Sequence, residues 1–155
     1  MKPMRMALLI LAVGLAAVSA QAQQCLHGDN ETAVEKERRI LALNAVRFIN
    51  TAEMNHFRQF GKYAAWKGLA SSPATEEVRG WYKSEAIKAI DLSAESRILP
   101  GLTLRLTTNG EKYSLLLRDE SDPCKFSFYT DQEGVIYYGQ PIDMPPSAAP
   151  LSKPE

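Results

Sequence analysis

The chain has 155 residues, 45% of them hydrophobic, and its 18 basic residues balance its 18 acidic residues. This length is enough for one domain with a hydrophobic core of its own. Because Lys and Arg form no basic block, the composition argues against nucleic acid and against an anionic membrane surface as partners.

The first segment, residues 1–22, has the features of a secretory signal peptide. A basic start precedes an apolar run over residues 6–18, and Ala20 and Ala22 form an A-x-A cleavage site. The apolar run is shorter than the roughly 20 residues that a membrane-spanning helix needs. We therefore expect cleavage before Gln23, no membrane span in the mature chain, and a periplasmic or secreted protein.

Cys25 and Cys124 are the only cysteines of the chain. In an oxidising compartment such a pair predicts one disulfide, which would tie the new N-terminus to a late strand. Lipid attachment at Cys25 is the alternative, but lipoprotein processing needs a small residue directly before the cysteine, and Gln24 is not small. A metal site at Cys25 and His27 would need ligands from elsewhere.

A long helix is predicted over residues 32–60. Thr32 and Glu35 form a capping box, and Gly61 occupies the position of a left-handed C-cap. Between them, apolar residues recur at helical spacing in two rows, which are Leu41, Ala45, Phe48, Ala52 and Val46, Ile49, Phe57, Phe60. The width of this stripe predicts that the helix covers a sheet. A second helix is predicted over residues 73–89, where Ser72 precedes Pro73.

From Gly101 onward the hydrophobic period is two, which predicts strands. Asn109-Gly110 is a hairpin turn signal. The expected strands are Leu102–Thr107, Lys112–Arg118, Lys125–Thr130 and Val135–Tyr138, and their inward side chains are Leu104, Leu106, Leu115, Leu117, Phe126 and Phe128. The sequence thus predicts an α+β domain over residues 23–140, a long helix packed on a four-stranded antiparallel meander, followed by a Pro-rich disordered tail over residues 141–155.

Few residues carry chemistry. Glu53 and His56 have the Glu-x-x-His spacing of di-iron bundles, which also need a second copy and two further glutamates, so we interpret them as a pair on the helix surface. The carboxylates of Asp119, Glu120 and Asp122 lack the spacing of a calcium loop and predict a solvated turn. No nucleophile elbow, phosphate loop or dinucleotide fingerprint is present. We expect no enzyme activity and no cofactor.

Five aromatic residues are the remaining candidates for a ligand or partner surface. Aromatic side chains in a small domain mostly pack in the core, so only those that stay exposed would form such a surface. The candidates are Trp66, Trp81, Tyr82, Tyr137 and Tyr138.

Three segments resemble the globular half of type IV pilins and type II secretion pseudopilins. Residues 49–53 read INTAE, residues 60–64 read FGKYA beside the family's YGxYA, and residues 128–136 read FYTDQEGVI beside FYTDExGVI. The resemblance implies a pilin-like fold. However, the apolar segment at the N-terminus lacks the glutamate of a prepilin helix, and its A-x-A site implies that it is discarded.

The chain therefore resembles a pilin head without its assembly helix. We expect an exported, soluble, non-catalytic binding or interaction domain of the cell envelope or secretion apparatus. Its partner would be an envelope or secretion protein, or a small apolar molecule. A small secreted enzyme that uses Glu53 and His56, or a pilin-derived structural domain, is the alternative.

Overall fold

The computed structural model describes residues 25–28, 31–88, 90–93 and 98–139. The predicted signal peptide and Pro-rich tail lie outside these residues. The elements, in chain order, are α1 (Ala33–Phe60), α2 (Trp66–Ala70), α3 (Pro73–Trp81), α4 (Glu85–Lys88), β1 (Leu102–Thr108), β2 (Tyr113–Asp119), β3 (Ser127–Asp131) and β4 (Tyr137–Gly139). The fold is α+β.

Helix α1 begins and ends where the sequence predicts. The Thr32 hydroxyl accepts a hydrogen bond from the Glu35 N–H, and the Glu35 carboxylate accepts one from the Thr32 N–H, which completes the capping box. At the other end Gly61 has a φ of 71° and donates its N–H to the Phe57 carbonyl. A residue with a Cβ is strained in this left-handed conformation, so glycine ends the helix here.

The middle of the chain is more broken than predicted. Ser72 caps α3 by accepting the Ala74 N–H, but α3 ends at Trp81, because Tyr82 is extended, with a ψ of 130°. A separate short helix, α4, follows. The prediction of a single helix over residues 73–89 is therefore wrong. Helix α2 was not predicted.

The four strands form one antiparallel sheet in the order β1-β2-β3-β4, which confirms the meander. On the face toward α1, Leu104 lies opposite Leu117, and Leu117 lies opposite Phe128. The third strand begins at Ser127 rather than Lys125, whose φ of 56° is outside the extended range. The fourth begins at Tyr137 rather than Val135.

Helix α1 packs against the sheet on one side and against α3 on the other. Asn50 and Glu53 lie on the sheet side, since Tyr113 of β2 donates its hydroxyl to Asn50 Oδ1 and the charge of Glu53 acts on the same tyrosine. Phe48 is buried on the other side, edge-on to Tyr82 and beneath the Arg79 guanidinium. The sequence predicts that Phe48 is buried, which is confirmed, but not that short helices cover it.

The apolar rows of α1 continue past the elements that cover them. Phe57 and Phe60 belong to the predicted apolar rows, but they are exposed because they lie in the last turn of the helix. There the Phe57 ring stacks on Tyr63, and the Phe60 ring lies tilted against His56. Leu106 is half-buried. Within the described residues, no helix is both long and apolar enough to cross a membrane.

Candidate functional site

A disulfide fixes residues 25–28 to the turn between β2 and β3. Cys25 and Cys124 are bonded, with their Cα atoms 5.2 Å apart, in agreement with the prediction. The fully buried Asp122 accepts hydrogen bonds from the N–H groups of Leu26 and Cys124, at 3.1 and 2.9 Å. The start of the domain is therefore held by one covalent bond and by a buried carboxylate.

Beside the disulfide lies a group of charged side chains, called here the N-terminal ionic cluster, with the members His27, Glu31, Arg38, Arg39 and Asp119. Asp119 accepts two hydrogen bonds from Arg38, at 2.6 and 3.0 Å. The ring nitrogens of His27 lie 3.2 Å from an Asp119 oxygen and 2.7 Å from a Glu31 oxygen. Arg39 binds both oxygens of Glu31. The cluster joins residues 25–28, α1 and β2.

The cluster favours the charged forms of its acids. Burial by itself raises the pKa of the Asp119 carboxyl, but hydrogen bonds from Arg38, Ser121 and His27 outweigh this effect and hold that pKa well below its usual range. For Glu31, the hydrogen bond from Arg39 is the largest cause of a lowered pKa. The predicted solvated turn at residues 119–122 is wrong for Asp119 and Asp122, both of which are buried.

Glu53 and His56 are both buried, so the prediction of a helix-surface pair is also wrong. Each binds a backbone group of the α1–α2 connection, residues 61–65. Glu53 Oε2 accepts the Ala64 N–H at 3.0 Å. His56 Nδ1 lies 2.8 Å from the Lys62 carbonyl oxygen, and since a carbonyl only accepts, Nδ1 is the donor. The two side chains therefore hold the connection against the helix.

Burial dominates the electrostatics of Glu53. Its side chain is 0% exposed, and desolvation raises its pKa from 4.5 to about 7, against the opposing effect of the Ala64 hydrogen bond. Desolvation and then the charge of Glu53 raise the pKa values of Tyr113 and Tyr63. Glu53 is thus a buried acid whose neutral form is favoured, in contrast to Asp119.

The segments that resemble pilins hold the helix to the rest of the domain. Asn50 accepts the Tyr113 hydroxyl and lies with its Nδ2 3.5 Å from the Gly134 carbonyl oxygen. Gly134, in the turn before β4, has a φ of 78°, a left-handed backbone conformation that favours glycine. Through Asn50 and Glu53, the INTAE segment contacts residues of the other two segments, so these residues have structural roles.

The five aromatic candidates do not form one surface. Trp66 is in the core and Tyr82 is half-buried against Phe48, so neither is part of an exposed patch. Trp81 is exposed at the end of α3. Tyr137 and Tyr138 are 47% and 61% exposed, but as neighbours in a strand they point to opposite faces of the sheet.

Strand β4 is nonetheless an exposed apolar edge. It is the last strand in the sheet order, and Val135, just before it, is exposed as well. We call Val135, Tyr137 and Tyr138 the aromatic edge. Tyr138 also lines a groove of about 230 Å³ with Phe126 and Arg39. This volume is below the roughly 300–1,000 Å³ of small-molecule pockets, so the groove suits one side chain of a protein partner better than a separate ligand.

The described residues give little support for a metal. Cys25, Asp122 and Cys124 bring potential ligand atoms within 4.8 Å of one another. However, the two sulfurs are bonded to each other, and Asp122 accepts backbone N–H groups. The disulfide therefore removes the thiolates that a transition metal would need.

The N-terminal ionic cluster was not predicted from the sequence. A signal was present, because Arg38 and Arg39 flank the apolar rows of α1 and a charge beside the buried face needs a partner. The partner Asp119 lies 81 residues away, so the pairing appears only in the fold.

No protein-family model matches the chain, and neither a curated protein nor a solved structure is detectably similar to it.

Proposed function

We propose that the chain is an exported, non-catalytic domain of pilin-like architecture that binds a protein of the cell envelope or secretion apparatus through the aromatic edge. The observation that carries this proposal is the exposure of Val135, Tyr137 and Tyr138 on a terminal strand of the sheet. Exposed apolar side chains at a sheet edge are the features with which an extended partner segment is bound.

Export is supported by the disulfide and the leader together. Disulfides persist outside the cytoplasm and are rare within it. The Cys25–Cys124 bond joins the first described residue to the β2–β3 turn, and the expected cleavage site lies just before it. A mature chain that starts at Gln23 would therefore be closed on itself almost from its first residue.

The pilin-like architecture is supported by the layout and by the contacts of the resembling segments. One long helix packs on a four-stranded meander, and Asn50 and Glu53 attach that helix to the Gly134 turn and to Ala64. These contacts lie within one domain, so they explain why the three segments occur in one chain without any role in filament assembly.

The enzyme alternative gains no support from the geometry. Glu53 is fully buried and both Glu53 and His56 are bound to backbone groups. A general acid or base must lie within hydrogen-bond reach of its substrate.

Recovery of envelope proteins on the immobilised mature domain tests the proposal. A Tyr137→Ser/Tyr138→Ser variant should recover a specific partner about tenfold less well, since apolar anchors dominate interface energies. The matched control is Val34→Ser, which removes an even more exposed apolar side chain from a different groove, between α1 and Leu99. Equal loss in both variants, or no specific partner on the wild-type domain, would contradict the proposal.

A further inference from the structure

Glu53 is an unusual residue for its position. It lies on the sheet side of α1 with a fully buried side chain. Acidic side chains are almost never fully buried unless they are paired. As an acceptor for the Ala64 N–H, a neutral glutamine would serve equally well. The carboxyl adds one property that glutamine lacks, which is a charge that depends on pH.

The connection that Glu53 holds is attached on two sides. On the helix side, Glu53 accepts the Ala64 N–H and His56 donates to the Lys62 carbonyl. On the sheet side, the Tyr63 N–H donates to the Gly110 carbonyl at 2.7 Å, in the β1–β2 turn. The connection starts at Gly61, whose left-handed φ can change without strain on a side chain.

We propose that Glu53 is a proton-controlled latch, which holds the α1–α2 connection closed when its carboxyl is neutral and releases it when the carboxyl is ionised. Release separates the Ala64 N–H from α1 and the Tyr63 N–H from the β1–β2 turn, and it admits water to the new carboxylate. The connection opens at Gly61, while α1 and the sheet stay in place.

The groups that face Glu53 do not compensate a negative charge. They are the Tyr63 phenol of the connection, the Tyr113 phenol of β2 and, beyond them, the Asp131 carboxylate of β3, which acts on both tyrosines. On the same helix, His56 lies three residues after Glu53, and its Nδ1 donates a hydrogen bond to the Lys62 backbone carbonyl. Among the described residues, an ionised Glu53 would thus be a buried charge without an ion pair, which is costly in a protein interior.

The transition would fall near neutral pH, because burial raises the pKa of Glu53 to about 7. Between pH 5 and pH 8 this pKa corresponds to a change of about 10- to 100-fold in the opening equilibrium, if the open state has an ordinary carboxyl.

Hydrogen exchange of the backbone amides of residues 62–65 tests the latch. Protection factors, corrected for the pH dependence of intrinsic exchange, should fall by about 10- to 100-fold from pH 5 to pH 8 in the wild-type protein. In Glu53→Gln they should change less than about twofold, because glutamine does not titrate. The matched control is His56→Asn, which keeps a donor near the Nδ1 position, cannot titrate, and should retain the wild-type response.

The proposal is overturned if the protection factors of the wild-type protein are equal at the two pH values, if Glu53→Gln keeps the response, or if His56→Asn abolishes it. A second readout covers a Glu53→Gln protein that does not fold. In Trp81→Phe, Trp66 is the only tryptophan, and its emission should shift to longer wavelength with a midpoint near the titration of the Glu53 side chain followed by NMR. An emission spectrum that does not change across that titration would also overturn the latch.

Discussion

Glu53 and Asp119 are both buried, and their surroundings shift the pKa values of the two carboxyls in opposite directions. Desolvation dominates at Glu53, which has no cationic partner among the groups that act on it, and raises its pKa to about 7. At Asp119 burial is the largest single influence, but donors from Arg38, Ser121 and His27 together outweigh it and lower the pKa. The domain should therefore lose stability toward both acid and alkaline pH.

The first prediction concerns Glu53→Gln. The pKa of Glu53 is raised in the fold, so its contribution to stability is complete below the ordinary value of 4.5 and is lost as pH rises through about 7. The wild-type free energy of unfolding should fall by about 3 kcal/mol across this window. Urea unfolding at pH 5 and pH 8 should show a smaller decrease in Glu53→Gln. An identical decrease would show that another group causes it.

The second prediction concerns Asp119→Asn, which removes the charge that faces Arg38 and His27. The substitution should destabilise the domain by about 3 kcal/mol at pH 7, because it leaves the Arg38 guanidinium without its ion-pair partner. The pKa of Asp119 is lowered in the fold, so its contribution is present above the ordinary value of 3.8 and is lost as pH falls through the folded value. Urea unfolding at pH 7 measures the loss of stability, and at pH 3, just below the ordinary pKa, the difference between the wild type and Asp119→Asn should be smaller.

The neighbouring Glu120→Gln is the control for Asp119. Glu120 pairs with Lys125 at an exposed position, where such pairs contribute less than about 1 kcal/mol. If the two substitutions cost the same, the N-terminal ionic cluster does not have the stabilising role described above.

At the scale of the elements, α1 is the centre of the fold, with the sheet on one side and α3 on the other. The third prediction tests this arrangement. Phe48→Ala should cost about 3–5 kcal/mol, because it leaves a cavity between α1, Tyr82 and Arg79. Ile40→Ala, at an exposed position of the same helix, should cost less than about 1 kcal/mol. Denaturant midpoints of the two variants measure the difference, and a similar small loss in both would place Phe48 outside the core.

The elements with strong local signals were predictable from sequence. The capping box at Thr32 begins α1 and the glycine at position 61 ends it, and both act through contacts within a few residues. The meander follows from the period of two and from turns at Asn109 and Asp131, whose side chains accept nearby backbone N–H groups. Such signals do not depend on the rest of the fold.

The short helices and the ionic contacts were not predictable, because they depend on contacts with distant parts of the chain. Helices α2 and α4 have five and four residues, too few to be stable without tertiary packing. The sequence also does not reveal that Glu53 is buried, because its partner is the backbone of Ala64, for which a side-chain pattern gives no signal. Of the candidate site, the cysteine pairing was predictable and the surroundings of Glu53 were not.

At the scale of the whole molecule, the disulfide joins positions 99 residues apart and closes almost the whole described chain into one loop. The fourth prediction follows from this loop. Reduction, or a Cys25→Ser/Cys124→Ser variant, should lower the melting temperature and remove up to about 4.7 kcal/mol of stability, mainly through the entropy of the unfolded chain. Adding a reductant to the double variant is the control and should change nothing. A melting temperature that reduction leaves unchanged would show that the N-terminal ionic cluster alone holds residues 25–28.

We propose that the chain is exported and works as a disulfide-bonded globular domain without an N-terminal apolar helix. Intact mass of the protein recovered from outside the cytoplasm, with and without a thiol-alkylating reagent, tests this proposal. We predict a chain that begins at Gln23, carries no lipid and takes up no label until it is reduced. A mature protein that retains residues 6–18, or one whose native cysteines are labelled, would show that this proposal is wrong.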